Sequence, residues 1–103
     1  MQKKSKEQLS KQEILDFLRK NKSFFKKQFD VDAIMLFGSY ARDEATKESD
    51  VDILIDSHNK SYDSLFSMKE LLEKQFQKKV DIFYKDSVRR FIMRLIKEEL
   101  IYA

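Results

Sequence analysis

The chain has 103 residues with a hydrophobic fraction of 42% and no cysteine, which predicts one folded domain over residues 1–103, without disulfides or thiolate metal sites. No apolar run approaches the ~20 residues needed to span a bilayer and the start lacks the apolar core of a signal peptide, so we expect no membrane contact and a cytoplasmic location. The 21 basic and 18 acidic residues nearly balance, which argues against nucleic acid as a partner.

The N-terminal third predicts a single helix. Residues 1–9 are polar and rich in lysine, and we expect them to fray. The segment from Ser10 to Glu13 fits a capping box, which opens a helix by binding its free backbone N–H groups. Apolar residues then recur at helical spacing and predict a helix over about residues 11–28, with its phenylalanines in the core. These residues are Ile14, Phe17, Leu18, Phe24, Phe25 and Phe29.

Two predicted strands flank the only glycine of the chain, Gly38. The run from Val31 to Phe37 is apolar except for one aspartate, and its length suits a buried strand. Residues 39–46 could form a short helix. The segment Asp50–Asp56 alternates apolar and acidic residues, which predicts a strand with one face on the core.

The second half of the chain again predicts helices that alternate with strands. Residues 61–77 carry an apolar side at helical spacing, residues 79–84 alternate like a strand, and Ser87 is placed to cap a last helix. A short edge strand is expected at residues 100–102. Since strands and helices follow one another along the chain, the sequence predicts a layered α/β or α+β domain.

Gly38 and Ser39 are candidates for binding phosphate. A glycine between a buried strand and a helix start lets the backbone approach a ligand closely, because no Cβ intervenes. A helix beginning at Ser39 would direct free N–H groups outward, which favours an anion, and the Ser39 hydroxyl is a further donor. A Gly-Ser pair alone is weak evidence, since most such pairs are turns.

Three aspartates are candidates for binding metal. Asp50 and Asp52 lie two residues apart on a predicted strand, so both side chains leave one face roughly 6.6 Å apart. Like charges this close are unfavourable unless a cation lies between them, and Mg²⁺ prefers such oxygen ligands and brings phosphates with it. Asp81, on another predicted strand, faces away from Val80 and Ile82 and can project from the same side of a sheet.

The spacing of these residues resembles a known signature. Gly38-Ser39, ten residues and then Asp50-x-Asp52 is similar to the GS-x10-D-x-D motif of the DNA polymerase β-like nucleotidyltransferases. The strings GSYAR and SDVDILI resemble the minimal nucleotidyltransferase branch of that superfamily, and Asp81 occupies the place of its third carboxylate. The resemblance covers about residues 31–103.

The resemblance implies a mixed sheet flanked by helices, with ATP and two Mg²⁺ ions bound on its exposed face. It implies three catalytic, metal-binding carboxylates, of which the third helps to activate the attacking hydroxyl: Asp50, Asp52 and Asp81. The resemblance also implies that the nucleotide is bound by Gly38, Ser39, Arg42 and Ser49. One departure is Asp43, which stands where the family usually has glycine and would repel a triphosphate.

Minimal nucleotidyltransferases of this kind are commonly MntA-type antitoxins paired with a HEPN-domain ribonuclease toxin. The resemblance therefore implies transfer of AMP from ATP to a protein hydroxyl, such as a tyrosine of the toxin. Two alternatives remain. A non-catalytic antitoxin that masks its partner is suggested by Asp43 and by the small size of the domain. Transfer to a small molecule usually needs a further substrate domain, for which 103 residues leave no room.

Overall fold

The computed structural model describes residues 8–103 and builds the fold on four strands: β1 (Val31–Phe37), β2 (Val51–Ser57), β3 (Val80–Tyr84) and β4 (Ile101–Tyr102). They form one mixed sheet in the order β3-β2-β1-β4. Strand β1 pairs antiparallel with β2 and β4, and β2 pairs parallel with β3. The expectation of fraying for residues 1–9 lies mostly outside the described residues.

In the described part of the chain, five α-helices flank the sheet: α1 (Lys11–Lys20), α2 (Lys22–Phe29), α3 (Gly38–Ala41), α4 (Tyr62–Phe76) and α5 (Arg90–Ile96). Single 3₁₀ turns lie at Lys85–Ser87 and Lys97–Glu99. This arrangement confirms the predicted mixed sheet flanked by helices. Within residues 8–103, no helix is long and apolar enough to cross a membrane.

The core lies between one face of the sheet and the helices α1, α2 and α4. From β2, the buried side chains Val51, Ile53 and Ile55 alternate toward this side, as the sequence predicts. Ile14, Leu18, Phe25, Met68 and Leu72, from the three helices, are also buried in it. Because the other face of β2 carries the aspartates, the polar alternation places them away from this core.

The predicted helix over residues 11–28 is wrong in one respect, because the structure divides it at Asn21. The Asn21 backbone N–H and side-chain Nδ2 both donate to the Phe17 carbonyl, at 3.2 and 2.8 Å. A side chain that binds the carbonyl of the preceding turn competes with the regular helix ladder. Two short helices result, and their phenylalanines do not all enter the core, since Phe24 is 44% exposed.

The last helix also differs from its prediction. Ser87 lies in a 3₁₀ turn and does not cap α5, which begins after an extended Arg89 that makes no side-chain cap hydrogen bond. None of the residues of α5 is buried, and Phe91 and Leu95 are 54% and 73% exposed. This helix therefore presents an apolar surface that the described part of the chain does not cover.

The short helix expected over residues 39–46 is reduced to α3. It ends because Asp43 takes a left-handed backbone conformation, with φ of +60°, which few residues other than glycine adopt without cost. The Asp43 carboxylate contacts Lys11 Nζ at 2.9 Å. Asp43 thus has a positive φ, and its charge is paired with a cation of α1.

Candidate active site

The register of the sheet places the three predicted carboxylates on one face of the sheet. In the parallel pair of β2 and β3, Asp52 lies opposite Asp81, and paired strands are about 4.8 Å apart. Asp50 precedes Asp52 by two residues and shares its face. All three side chains are only partly buried, so they remain accessible from solvent. The position of Asp81 agrees with the prediction made from the alternation around Val80.

Gly38 lies directly against Asp52. The last residue of β1, Phe37, pairs with Asp52, so the chain leaving β1 turns over the Asp52 carboxylate. The turn requires a φ of +81° at Gly38, and a Cβ placed there would overlap Asp52 Oδ2 and lie 2.9 Å from its Cγ. Glycine is therefore needed twice at this position, for its backbone angle and for its lack of a side chain.

The site concentrates negative charge around Asp52. Burial, together with the negative charges of Asp81 and Asp50, raises the pKa of Asp52 to about 6. Lys79 Nζ lies 3.8 Å from Asp50 Oδ2 and 3.9 Å from Asp81 Oδ1. A lysine between two carboxylates lowers their repulsion only partly, since it is itself well exposed to solvent.

This electrostatic cost predicts that Asp52→Asn stabilises the protein near neutral pH by about 1–2 kcal/mol, less than the full pKa shift corresponds to, because solvent screens the partly exposed carboxylate. Between pH 3.8 and about 6 the folded protein holds a proton on Asp52 that the unfolded chain has released. Wild-type stability therefore falls as the pH rises through this window, and the advantage of the variant disappears below it. Denaturant unfolding across this pH range measures the difference.

The matched control is Asp56→Asn, on the same strand and also partly buried. We expect no comparable gain from it. A pH-independent difference between Asp52→Asn and wild type would contradict the charge repulsion inferred here.

Helix α4 fixes the strand that carries Asp81. Glu73 Oε2 accepts the Val80 backbone N–H at 2.9 Å and contacts Lys69 Nζ at 2.8 Å. Since β3 is an edge strand, this N–H has no neighbouring strand to bind on that side. Glu73 thus anchors the start of β3 and positions the residue that follows Val80.

The other predicted nucleotide-binding residues have different surroundings. The Ser39 hydroxyl has no hydrogen-bond partner among the described residues and is free to bind a ligand. The Ser49 hydroxyl accepts the Thr46 N–H at 2.9 Å, so it stabilises the turn before Asp50. Arg42 is held by two acids, with Nε on Glu44 at 2.9 Å and Nη1 on Glu99 at 3.1 Å. Their roles toward a nucleotide stay predictions.

Two residues of the site were missed in the sequence. Lys79 could have been found, because strand alternation places it on the face of Asp81. Glu99 lies 61 residues from Gly38, yet its Oε2 accepts the Gly38 N–H at 2.7 Å. No local pattern connects a glutamate of the C-terminal turn with a glycine after β1.

A cleft of about 430 Å³ opens beside the carboxylates. Asp52 and Asp81 line one side, and Phe37 and Phe83 contribute tilted rings with centroids 6.4 Å apart. Another part of the wall comes from α5 and the segment before it. A cleft with carboxylates at one end and aromatic rings beside them suits a ligand that carries a hydroxyl on an apolar body.

The three carboxylates are ligands of the kind that a divalent cation binds. They supply the hard oxygen donors that Mg²⁺ prefers. Burial and the charges of Asp81 and Asp50 raise the pKa of Asp52, so a cation nearby would stabilise its ionised form. In the part of the chain that the structure describes, no three acidic or histidine side chains converge closely enough to hold a metal ion as they stand. The three carboxylates would have to change their side-chain conformations to hold one together.

Comparison with known proteins places the chain in a family. The family model described as Polymerase beta, Nucleotidyltransferase matches residues 19–103. A Methanocaldococcus jannaschii protein named as a protein adenylyltransferase is 43% identical over 95 residues, covering 88% of this chain and 95% of the relative. Protein adenylyltransferase MntA of Thermococcus cleftensis is 35% identical over 96 residues, covering 92% and 97%.

Solved structures agree on the fold. A minimal nucleotidyltransferase superposes with a TM-score of 0.76 at 21% identity, covering 93% of this chain and 98% of that one. A chain of the MntA-HpeT toxin-antitoxin complex superposes with a TM-score of 0.67 at 18% identity, covering 91% and 72%. With its matched model, its adenylyltransferase relatives and its glycine turn above paired aspartates, this chain belongs to the polymerase β nucleotidyltransferase family.

Proposed function

We propose that this protein transfers AMP from ATP to a hydroxyl of a partner protein and acts as the antitoxin of a toxin-antitoxin pair. The partner we propose is a HEPN-type ribonuclease toxin, modified on a tyrosine. The observation that carries the proposal is the placement of Asp50, Asp52 and Asp81 on one exposed face, beneath the turn at Gly38. A binding module without chemistry has no need for three carboxylates that repel one another.

In the proposed reaction, the acceptor hydroxyl lies in the cleft beside Asp81. Asp81 accepts the hydroxyl proton, and the oxygen attacks the α-phosphorus of ATP. A phosphoester bond to AMP forms as the bond to the β-phosphate oxygen breaks, and pyrophosphate leaves. The proton passes from Asp81 to solvent. Ser39 donates its hydroxyl to the outer phosphates, and Gly38 lets them approach the backbone closely.

The residues that would hold Mg²⁺ are Asp50, Asp52 and Asp81. When bound, the ions would supply positive charge to the phosphates and to both the attacking and the leaving oxygen. The desolvated Asp52 is stabilised by any cation near it, because its ionised form is the one that burial disfavours.

The surface beside the cleft supports a protein as the acceptor. Phe91 and Leu95 of α5 are exposed, and contiguous exposed apolar residues are typical of sites that bind another protein. The basic side chains Arg89, Arg90 and Arg94 lie in the same segment, and none has an ion-pair partner within residues 8–103. This surface suits a partner that is apolar and acidic. Two of the similar proteins, the MntA-HpeT structure and the MntA of T. cleftensis, bear the name of a toxin-antitoxin component.

A second candidate is a non-catalytic antitoxin that masks its partner. The exposed apolar face of α5 favours it, since docking there requires no chemistry. The argument from Asp43 is weakened, because the Asp43 carboxylate is paired with Lys11 and therefore repels a triphosphate less than a free one would.

The test is incubation of the protein with ATP labelled on the α-phosphate, Mg²⁺ and the product of the adjacent gene. We expect covalent label on the partner, lost when its acceptor tyrosine is replaced by phenylalanine. ATP labelled on the γ-phosphate is the matched control and should leave the partner unlabelled, because that phosphate departs with pyrophosphate. Absence of label from both nucleotides would reject the proposal.

Removal of metal provides a separate prediction. An excess of EDTA should lower the transfer rate by at least about a hundredfold, because the phosphate charge is then balanced by few protein cations. Added Mg²⁺ should restore the rate. Transfer that persists unchanged in EDTA would contradict the role assigned to the carboxylates.

A further inference from the structure

Glu99 occupies the position that an anion would take at the turn after β1. Its Oε2 accepts the Gly38 N–H at 2.7 Å, and Arg42 Nη1 contacts both carboxylate oxygens at 3.1 Å. The Glu99 side chain is only 16% exposed. A carboxylate held by one backbone N–H and one guanidinium matches the way proteins hold a phosphate group.

The groups bound by Glu99 are those assigned to the nucleotide. Gly38 has a single backbone N–H, which a carboxylate at 2.7 Å fully engages. Arg42 is the only arginine of the turn, and its Nη1 is directed to Glu99. A phosphate that uses either group must first displace this carboxylate, and a phosphate beside it would be repelled.

We propose that Glu99 is an internal competitor for the phosphate position, so that a nucleotide binds only when Glu99 is released. This inference rests on the proposed function, because it assumes that a triphosphate binds at the Gly38 turn. Glu99 thereby sets the affinity for nucleotide.

The location of Glu99 permits such a release. It ends the 3₁₀ turn Lys97–Glu99 between α5 and β4. The hydrogen bond that closes this turn, from the Leu100 N–H to the Lys97 carbonyl, is long at 3.5 Å. The adjacent α5 is not buried anywhere. Movement of the Glu99 side chain therefore disturbs little of the core.

The opposite role for Glu99 predicts the opposite result. If Glu99 serves to position the Gly38 turn and Arg42 for the nucleotide, its replacement weakens binding. If Glu99 competes, its replacement by a neutral side chain strengthens binding. The sign of the change in affinity decides between the two.

The experiment compares Glu99→Gln with Glu98→Gln. Glutamine retains the length of glutamate and an oxygen that can accept the Gly38 N–H, but it lacks the charge that holds Arg42. Glu98 is the adjacent glutamate, it is exposed, and it has no ion-pair partner among the described residues. The two variants therefore remove the same charge from the same turn.

The first probe is inorganic tripolyphosphate without metal, measured by isothermal titration calorimetry, and the second is ATP with Mg²⁺. We expect Glu99→Gln to bind tripolyphosphate about tenfold more tightly than wild type, because one charge-assisted contact no longer has to be broken. Glu98→Gln should bind like wild type. Unchanged or weaker binding by Glu99→Gln, or no binding of tripolyphosphate by any variant, would overturn the inference.

A second variant tests the inference in case Glu99→Gln does not fold. Glu99→Asp keeps the charge but is one methylene shorter, which draws the carboxylate away from Gly38 and Arg42, so we expect binding tighter than that of wild type and weaker than that of Glu99→Gln. Thermal unfolding of each variant shows whether it is folded.

The experiments distinguish failure of the proposed transfer reaction from failure of the competition by Glu99. If Glu99→Gln binds tripolyphosphate more tightly but no variant labels the partner from ATP, the transfer reaction is rejected and the competition stands. If the partner is labelled and Glu99→Gln has wild-type affinity, the competition is rejected and the transfer stands.

Discussion

Replacing Asp50 and Asp52 together by asparagine is expected to lower the rate of AMP transfer by about a thousandfold or more. Asparagine keeps the size and an oxygen of each side chain but removes the negative charge that attracts a divalent cation. The measurement is single-turnover transfer of α-labelled AMP to the partner protein, with nucleotide in excess. Asp56→Asn on the same strand is the control and should retain the wild-type rate.

The same double variant distinguishes the two candidate functions. Its fold should persist, since it removes repulsion around Asp52 and deletes no buried apolar group. If the variant loses transfer and no longer neutralises the partner, chemistry is the basis of the antitoxin activity. If it still neutralises the partner without transfer, masking of the partner surface explains the activity. Transfer that survives the double substitution would remove these aspartates from the mechanism.

Gly38→Ala is expected to destabilise the protein by about 3 kcal/mol or more and to abolish nucleotide binding. A φ of +81° costs an alanine about 1–2 kcal/mol. The remaining cost comes from the new methyl group, which would overlap the Asp52 carboxylate. Denaturant unfolding of the variant measures the total, and Ser39→Ala at the next position should cost far less.

A double-mutant cycle separates the two costs. Combining Gly38→Ala with Asp52→Ala removes the overlapping carboxylate and should recover the part of the loss that is due to the overlap. The backbone cost should remain, and catalysis should not return. Equal destabilisation by Gly38→Ala in the presence and absence of the Asp52 side chain would contradict the close approach described here.

The strands and the carboxylates could be predicted from the sequence because their signals are local. Alternation defines β2 within one residue, and the same alternation assigns Asp52 and Asp81 to the exposed face. The glycine was singled out by its position between a strand and a serine. Its two separate requirements needed coordinates, since the contact with Asp52 arises from the pairing of Phe37.

Other features could not be predicted because they depend on distant or competing contacts. The break at Asn21 results from one side chain that binds the Phe17 carbonyl, against a periodic pattern that continues through it. The α5 sequence is apolar enough for a core helix, yet the sheet offers it no buried position. The contact of Glu99 with Gly38 joins residues 61 positions apart that no sequence spacing relates.

The walls of the cleft differ in how freely they can change during evolution. The aspartates and Gly38 are tied to the paired strands, so substitutions there disturb the sheet. The wall formed by Val88, Ile92 and Ile96 comes from a segment in which no side chain is buried, and substitutions at such positions have small effects on stability. Selection can therefore alter which acceptor fits this wall, while the strands that carry the phosphate chemistry stay the same.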